Sequence, residues 1–404
     1  MCGNKKILFF QWNAFMQEGM EASLKSLGIE YDVFYYIFKD WDRDDEFVGI
    51  FRQHLKDGEY ERVLSVNFSP LISDVCQEQG ITYVSWVYDA PLHIRKTSSL
   101  KNSCNIIFFF DRVQCDTYRK SGVEGARHLP LAVDCDVFSD EGIRRIISGR
   151  AAGRIQGQVP VKHDDDWYDC DVSLVGKLYK SDYEYLLTPL SGYHRGYLEG
   201  MVEAQKKVYG GYFLGDMITD DLLDGLNKEY RTASQGKFTV SREELEFALG
   251  TEVTGRERFM ALALLQNRCR VNLYSKDKDE RLPNVSHKGY VDYYTQMPRV
   301  FRNSKINLNI SLKLIQSGIP LRVLDVLGCK GFLITNYQPE IMEYFTPGQD
   351  LVVYEDIVDL VSKVEYYLIH EDERKAIAAN GYDRCRELFG FDDRMRTLLG
   401  VCEE

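Results

Sequence analysis

The segment from Ile319 to Gly328 carries two charged side chains, Arg322 and Asp325, whose spacing could bind a phosphorylated ligand. Residues three positions apart lie on one face of a helix. An arginine beside a helix N-terminus suits a diphosphate, because bidentate hydrogen bonds act together with the helix dipole. A carboxylate one turn further along can accept hydrogen bonds from a ribose diol. The alternative is a surface ion pair of little consequence, and these residues alone leave both interpretations open.

Four polar residues in the N-terminal part follow predicted strands: Asn13, Asn67, Asp89 and Asp111. Ligands of open parallel sheets bind outside the carboxyl ends of the strands, so functional polar groups are expected there. Each of the four could instead cap the helix or turn that follows its strand. We select Asp89 as a candidate catalytic residue, because Pro91 stiffens the loop that presents it.

Three short acidic motifs, at residues 134–136, 164–166 and 169–171, raise the question of a divalent metal site. An Asp-x-Asp pair supplies the hard oxygen ligands that Mg²⁺ and Mn²⁺ prefer. Acidic pairs in solvated linkers are far commoner, so we predict no metal site. The sequence also lacks a Gly-x-Gly-x-x-Gly fingerprint, a phosphate-binding P-loop, a His-Glu-x-x-His motif and a Gly-x-Ser-x-Gly motif.

The elements that must position these groups alternate between short apolar runs and amphipathic stretches. In the N-terminal part the predicted strands are Lys6–Gln11, Asp32–Phe38, Arg62–Asn67, Ile81–Tyr88 and Asn105–Phe110. Helices are predicted at Met16–Leu27 and Pro70–Gln79, and the second begins with a proline at a first-turn position. Continuous apolar strands that alternate with helices indicate a parallel sheet covered on both faces.

A polar, strand-poor stretch from Ser139 to Asp169, which includes Gly153 and Gly157, is typical of a domain junction. A second alternating unit begins at Asp171, and its first crossover, from Asp182 to Asn267, is long and mostly helical. The later strands are predicted at Arg270–Ser275, Ile306–Ile310, Gly331–Thr335 and Leu351–Tyr354.

These patterns predict an α/β fold with two doubly wound, Rossmann-like domains and a helical insertion in the second. The predicted N-terminal domain covers residues 1–165 and the predicted C-terminal domain covers residues 166–389. A final helix within residues 390–404 is expected to cross back to the first domain.

The composition excludes several classes of protein. The chain has 404 residues, with 50 basic and 62 acidic side chains and a net charge of −12. This acidic excess argues against general binding to nucleic acid or to anionic membranes. The ten cysteines form no Cys-x-x-Cys pair and are expected to be reduced thiols. The start is not signal-like and no stretch approaches the roughly 20 apolar residues of a membrane span. We expect a cytoplasmic location.

Most of the chain resembles the group 1 retaining glycosyltransferases, and most closely the bacterial spore-maturation (CgeB-like) family. The similar segments are Val84–Asp89, Leu129–Asp134, Ser304–Glu343, Gly348–Asp356 and Glu373–Gly381. The C-terminal segments are the more specific ones. The helical crossover at residues 190–265 is the part that the resemblance covers least.

This resemblance implies a GT-B architecture, in which two Rossmann-like domains face each other. It also implies a nucleotide-diphosphate sugar as donor, with a UDP-sugar favoured, held mainly by the C-terminal domain without a required metal or cofactor. The residues expected to bind the donor are Asn13, Gly176, Lys177, Asn309, Arg322, Asp325, Thr335 and Glu340.

One position departs from the pattern of the superfamily, which has a glutamate, seven further residues and a second glutamate. Asp325 corresponds to the second, ribose-side carboxylate, but Ser317 stands where the first would be. That first carboxylate usually contacts the donor sugar. The basic pair of the superfamily corresponds to Lys177 and, less closely, to Lys180, which could instead be a solvated lysine.

The expected chemistry is glycosyl transfer by a hexosyltransferase-type enzyme, with retention. Lys177 and Arg322 would neutralise the charge that develops on the leaving nucleoside diphosphate, assisted by the positive ends of nearby helices. The acceptor, a glycan, a protein or a small molecule, would enter near Asn13, Asp89 and His93. Asp89 and His93 are the catalytic candidates, although a lone histidine is more often structural.

Two other functions remain open from the sequence. The departure at Ser317 motivates a catalytically silent GT-B-like scaffold that binds a nucleotide sugar or a glycan. A nicotinamide-dependent oxidoreductase is a more distant alternative, because the glycine fingerprint of dinucleotide binding is absent.

Overall fold

The computed structural model describes residues 6–92, 94–152 and 163–400, and its chain divides into two units. The first unit comprises Met1–Asp134, Ser317–Leu321 and Arg386–Glu404, and the second comprises Cys135–Gln316 and Arg322–Cys385. His93, Gly153 and Gly157 lie outside the described residues. The domain boundary expected between residues 165 and 166 stays a prediction.

The first unit contains, within the described residues, a parallel sheet of six strands. Its strands are β1 (Lys6–Gln11), β2 (Tyr31–Tyr35), β3 (Tyr60–Val66), β4 (Thr82–Val87), β5 (Asn105–Phe109) and β6 (Ala126–His128). Their spatial order is β2-β1-β3-β4-β5-β6, so the winding direction reverses between β1 and β3. Leu8, Phe9 and Phe10 are all buried, because helices cover both faces of this central strand.

The second unit contains, again within the described residues, a second parallel sheet of six strands. Its strands are β7 (Cys170–Val175), β8 (Val271–Tyr274), β9 (Val285–His287), β10 (Ser304–Asn309), β11 (Leu333–Asn336) and β12 (Val352–Tyr354). The spatial order is β12-β11-β10-β7-β8-β9, so this sheet reverses its winding between β7 and β10. Counted within the unit, that is the Rossmann order 3-2-1-4-5-6.

Helices precede and follow these strands in the alternation that the sequence predicts. Up to the second sheet they are α1 (Gln17–Ser26), α2 (Asp45–Asp57), α3 (Pro70–Gln79), α4 (Arg112–Lys120), α5 (Asp140–Ala151) and α6 (Asp165–Tyr168). Pro70 occupies the first turn of α3, and Ser69 caps that helix through the backbone N–H of Ile72. The predicted bounds of α3 are confirmed.

A helical insertion separates β7 from β8. Its helices are α7 (Tyr183–Leu187), α8 (Gly192–Gln205), α9 (Leu214–Met217), α10 (Asp220–Ser234) and α11 (Arg242–Leu265). Buried side chains such as Leu198 and Tyr230 give the insertion a core of its own, to which Leu249 of α11 contributes. The second half of α11 packs instead on the sheet, through Ala261 and Leu262. The predicted helical crossover is therefore confirmed.

The remaining helices complete the two units. They are α12 (Met297–Asn303), α13 (Leu321–Gly328), α14 (Pro339–Tyr344), α15 (Ile357–Ile369), α16 (Glu371–Leu388) and α17 (Phe391–Leu399). The last helix belongs to the first unit, where the Ser23 hydroxyl of α1 donates to Asp392 at 2.6 Å. Among the described residues no helix is both long enough and apolar enough to span a lipid bilayer.

Candidate functional site

The carboxyl ends of β7 and β10 form the switch point of the second sheet, where open α/β sheets bind their ligands. Gly176 and Lys177 follow β7 directly, and Asn309 is the last residue of β10. The structure therefore brings three of the predicted donor-binding residues to the same edge of the sheet. Lys177 is exposed, and its ammonium group makes no hydrogen bond or ion pair with the described residues.

Glycine is required at position 176 by the backbone. Its φ of 142° lies in a region that other residues rarely adopt, and an added Cβ would stand 3.2 Å from the guanidinium of Arg258. Arg258 comes from the middle of α11 and is only 7% exposed. The turn after β7 is thus built around an arginine that lies far from it in the sequence.

Arg258 joins the two central strands of the sheet at their carboxyl ends. Its Nη1 donates to the carbonyl of Lys177 at 2.5 Å, and its Nε donates to the carbonyl of Ile310 at 3.1 Å. Burial lowers the pKa of the guanidinium, and the positive charge of Arg322 lowers it further. Within the described residues, no carboxylate forms an ion pair with Arg258. Its charge is met instead by carbonyl dipoles and by the face of the Tyr179 ring, whose centroid lies 4.7 Å from Cζ. Glu257 also attracts the guanidinium electrostatically, which opposes the lowering of its pKa.

Predicted site residues at the ends of β10 and β11 form a buried hydrogen-bonded network. The Asn309 amide donates to the hydroxyl of Thr335 at 2.9 Å and to the hydroxyl of Ser311 at 3.1 Å. Asn336 accepts the backbone N–H of Ser311 at 2.8 Å. These contacts fix the backbone and side chains at the carboxyl ends of β10 and β11. Asn309 and Thr335 therefore shape the site, with their polar atoms engaged by each other.

Arg322 and Asp325 lie on one face of α13, as their spacing predicts, and are joined at 3.2 Å. Asp325 is only 1% exposed, and its second oxygen accepts the hydroxyl of Tyr293 at 2.6 Å. Burial raises the pKa of Asp325 to about 6, against the opposing effects of Arg322 and Tyr293. Arg322, with 26% of its side chain exposed, is the accessible member of the pair.

The other basic groups near this edge differ in their accessibility. Lys180, the second member of the basic pair expected from the resemblance, is exposed and donates to the carbonyl of Lys278. Lys313, in the segment after β10, pairs with Glu257 at 3.0 Å, and both side chains are largely buried. Glu340 lies in the first turn of α14 and is buried.

Asp89 and Asn13 lie in the first unit. Asp89 follows β4 and is exposed, while the amide of Asn67 at the end of β3 donates to its carboxylate at 2.8 Å. The other end of that amide accepts the N–H of Tyr88 at 2.8 Å, so Asn67 is fixed at both ends. Asn13 is exposed and accepts the hydroxyl of Tyr35 at 3.1 Å. The expectation for His93 falls outside the described residues.

Asp111 holds the segment that contains Ser317. It is fully buried, caps α4, and accepts the backbone N–H groups of Ser317 and Gly318 at 2.9 and 3.1 Å. The hydroxyl of Ser317 also donates to Asp111 at 3.2 Å, and it accepts the N–H of Val113. The residue that replaces the expected carboxylate therefore has a structural partner in the first unit.

The acidic motifs are engaged with basic groups where their contacts are described. Asp171 pairs with Lys305 at 2.8 Å, and Asp169 pairs with Arg270 at 3.0 Å. Among residues 6–92, 94–152 and 163–400, no group of three or more His, Cys, Asp or Glu side chains is arranged to hold a metal ion.

The sequence analysis did not identify Arg258 and Tyr293 of the second unit. In the first unit it did not identify Asn67 as a partner of Asp89. Arg258 lies 82 positions after Gly176 in the numbering, inside a helix that offers no local motif. Asn67 could have been assigned, because its left-handed φ of 57° and its place after β3 mark it as a special strand end.

Comparison with known proteins finds a family model that matches the part of the chain containing these site residues. A family model described as "Glycosyl transferase-like" matches residues 256–400, which include Arg258, Arg322 and Asp325. No curated protein matches the sequence.

Solved structures with a similar fold cover nearly the whole chain at low sequence identity. Sucrose-phosphate synthase from Thermosynechococcus elongatus is 11% identical, with a TM-score of 0.53 over 98% of this chain and 97% of that chain. A glycosyltransferase from Rickettsia africae ESF-5 is 9% identical, with a TM-score of 0.52 over 98% of this chain and 99% of that chain. A UDP-forming alpha,alpha-trehalose-phosphate synthase from Burkholderia xenovorans is 12% identical, with a TM-score of 0.50 over 98% of both chains.

These likenesses establish the fold. The two parallel sheets with flanking helices match solved glycosyltransferases, so the expected two-domain α/β fold of the GT-B class is confirmed.

Proposed function

We propose that this chain is a glycosyltransferase whose second unit binds a nucleotide-diphosphate sugar at the carboxyl edge of its sheet. The observation that carries the proposal is the switch point between β7 and β10. There a positive-φ glycine, an exposed lysine and a partly exposed arginine lie within one Rossmann-type unit: Gly176, Lys177 and Arg322. This combination of a tight turn with cations is suited to a diphosphate.

The proposed chemistry assigns charge neutralisation to cations of the chain. As the bond from the anomeric carbon to the diphosphate breaks, negative charge develops on the leaving nucleoside diphosphate. Positive groups at Lys177 and Arg322 stabilise that charge. Arg322 is held in place by its ion pair with Asp325, so it needs little reorganisation during the reaction. A metal ion is not needed in this scheme. Asp325 is proposed as the ribose-side carboxylate, and its contacts with Tyr293 and Arg322 would have to rearrange for that role.

The finer assignments are part of the proposal. They are a UDP donor, a hexosyl group, transfer with retention, membership of the CgeB-like group 1 enzymes and a cytoplasmic location. The name of one structural neighbour, a UDP-forming synthase, supports UDP as the first nucleotide to test. The acceptor is proposed to be handled by the first unit, where Asn67 orients the carboxylate of Asp89.

Calorimetric titration of UDP and of uridine tests the donor site. Arg322→Ala should weaken UDP binding by on the order of 1.5–3 kcal/mol, the range for hydrogen bonds to charged groups, and should affect uridine much less. Arg268→Ala serves as a control, because Arg268 is an exposed arginine paired with Glu365. If a chelator abolished UDP binding while Arg322→Ala left it intact, the metal-free assignment would be wrong.

A specific observation favours one alternative, a catalytically silent scaffold that binds a nucleotide sugar. Ser317 stands where the resemblance predicts the carboxylate that contacts the donor sugar, and its hydroxyl is held by Asp111. Transfer or hydrolysis of any UDP- or GDP-sugar by the purified protein would exclude the scaffold. Donor binding without turnover, across common donors and acceptors, would favour it.

A further inference from the structure

The crossover helix α11 does not begin at the turn after β7. In Rossmann units the helix that follows the first strand normally points its N-terminus at the bound phosphates. Here the helix that returns to the sheet is α11, and its first half lies in the core of the insertion through Leu245, Leu249 and Val253. The N-terminus of α11 at Arg242 is about 24 Å, or 16 helical residues, from Arg258. The turn at Gly176 therefore packs against residues well inside α11 and not against its N-terminus.

We propose that Arg258 replaces this missing helix N-terminus and supplies the buried positive charge that selects a diphosphate. This inference rests on the proposed donor site. The guanidinium lies directly behind the Gly176–Lys177 turn and is bonded to the carbonyl oxygen of Lys177 and to that of Ile310. It thereby fixes the two strand ends between which a pyrophosphate would lie.

The hydrogen-bonding capacity of Arg258 is only partly used. An arginine has five N–H donors in a fixed fork. Three of them go to main-chain carbonyls, one to Lys177 and two to Ile310. The guanidinium also stacks on the ring of Tyr179, 4.7 Å from its centroid, but that contact uses no N–H group. Two donors therefore remain for a ligand or for water.

Among the described residues, Arg258 has no ion-pair partner, whereas its neighbours on α11 do. Two positions earlier on the same helix, Arg256 pairs with Glu199, Glu203 and Glu252. Glu257, between them, is engaged with Lys313. Burying a cation without an ion-pair partner opposes folding. An arriving diphosphate would remove this cost, and α11 therefore carries one arginine for structure and one for the ligand.

The mutual repulsion of two guanidinium groups supports the same conclusion. The positive charge of Arg322 lowers the pKa of Arg258, so the two groups are close enough to interact. An anion close to both groups would relieve this repulsion. A nucleoside diphosphate is such an anion, whereas a nucleoside is not.

The test compares Arg258→Gln, Arg258→Lys and the matched control Arg256→Gln, each titrated with UDP, UMP and uridine. Arg258→Gln keeps side-chain hydrogen bonding and removes the charge, so UDP affinity should fall about 10- to 150-fold while uridine affinity changes little. Arg258→Lys restores the charge and should recover most of the preference for UDP. Arg256→Gln should lower the melting temperature and leave the ratio of UDP to uridine affinity unchanged.

A second measurement uses the wild type alone and does not depend on the stability of a variant. Inorganic pyrophosphate should compete with UDP, because the buried charge acts on the diphosphate. Absence of competition at millimolar pyrophosphate, or equal losses for UDP and uridine in both Arg258 variants, would overturn the inference. If the wild type bound neither UDP nor GDP, the proposed function itself would be wrong. Intact UDP binding with an unchanged preference in Arg258→Gln would remove only the role of Arg258.

Discussion

Replacing Asp325 by asparagine should stabilise the protein at neutral pH and weaken donor binding. The carboxyl group is 1% exposed, and burial raises its pKa to about 6. In the unfolded chain the pKa of an aspartate is about 3.9. The folded state therefore binds the proton more tightly than the unfolded state, and ionisation of Asp325 opposes folding. Asparagine resembles the neutral acid, and its carbonyl can still accept the hydroxyl of Tyr293.

The magnitude follows from linkage between proton binding and folding. A pKa difference of about 2 units corresponds to about 3 kcal/mol, since each unit is worth ~1.36 kcal/mol. Because the pKa of Asp325 is higher in the folded state than in the unfolded state, the contribution of Asp325 to the free energy of unfolding is greatest below about pH 4. That contribution is lost as the pH rises to about 6. Above that pH the penalty is constant. The attraction of Arg322 is already contained in this pKa, so we expect a gain of about 1–3 kcal/mol for Asp325→Asn at pH 7.5.

Urea unfolding of the wild type and of Asp325→Asn between pH 4 and pH 8 provides the assay. The two stability curves should meet near pH 4 and diverge up to about pH 6. Asp171→Asn is a control of opposite sign. Burial raises the pKa of Asp171, but Lys305 and Arg270 outweigh that effect and lower it. The ionised carboxylate of Asp171 stabilises the folded state above about pH 4, and this stabilisation is lost as the pH falls. Asp171→Asn should therefore be less stable than the wild type at pH 7.5. A less stable Asp325→Asn at pH 7.5, with the wild-type pH slope intact, would refute the reasoning.

Two further predictions concern the first unit. Asp89→Asn should reduce turnover by 10²–10⁴-fold, the typical contribution of a general base, at an unchanged melting temperature, because the new amide oxygen can still accept from Asn67; an equal fall in activity and stability would make Asp89 structural. Gly318→Ala should destabilise the protein by about 1–3 kcal/mol, because its Cβ would stand 2.9 Å from the Cα of Asp111. Gly49 lies in helix α2, and an added Cβ there would have no atom within 4 Å, so Gly49→Ala should be neutral or stabilising. Equal effects of the two substitutions in urea unfolding would contradict the packing argument.

Local sequence patterns predicted the sheets well because the central strands are buried on both faces. Continuous apolar runs identified β1 at its observed bounds, Lys6–Gln11, and placed the other long strands within a few residues. The strands β6 (Ala126–His128) and β9 (Val285–His287) were not predicted. Each has only three residues and contains polar ones, so no apolar run marks it. β12 is as short, but its residues Val352–Tyr354 form a continuous apolar run.

The predicted site was partly accessible from sequence for a similar reason. Residues at the end of a strand or just after it, such as Asn309 and Gly176, could be assigned because topology brings strand ends to one edge. The residue that pairs with an ionisable group could not be assigned from the sequence in this way. The burial of Asp325 against Tyr293 and the contact of Arg258 with the turn depend on tertiary packing between distant segments. No spacing in the sequence encodes such contacts.

Contacts with Asp111 explain why position 317 holds a serine. Its hydroxyl lies 3.2 Å from one oxygen of Asp111, whose other oxygen accepts the N–H groups of residues 317 and 318. A glutamate at 317 would bring a second carboxylate towards a fully buried one, and like charges in such a site cannot both remain ionised without a large cost. Asp111 in turn cannot be removed freely, because it also caps α4. The serine at position 317 and the buried Asp111 are therefore one coupled feature of the first unit.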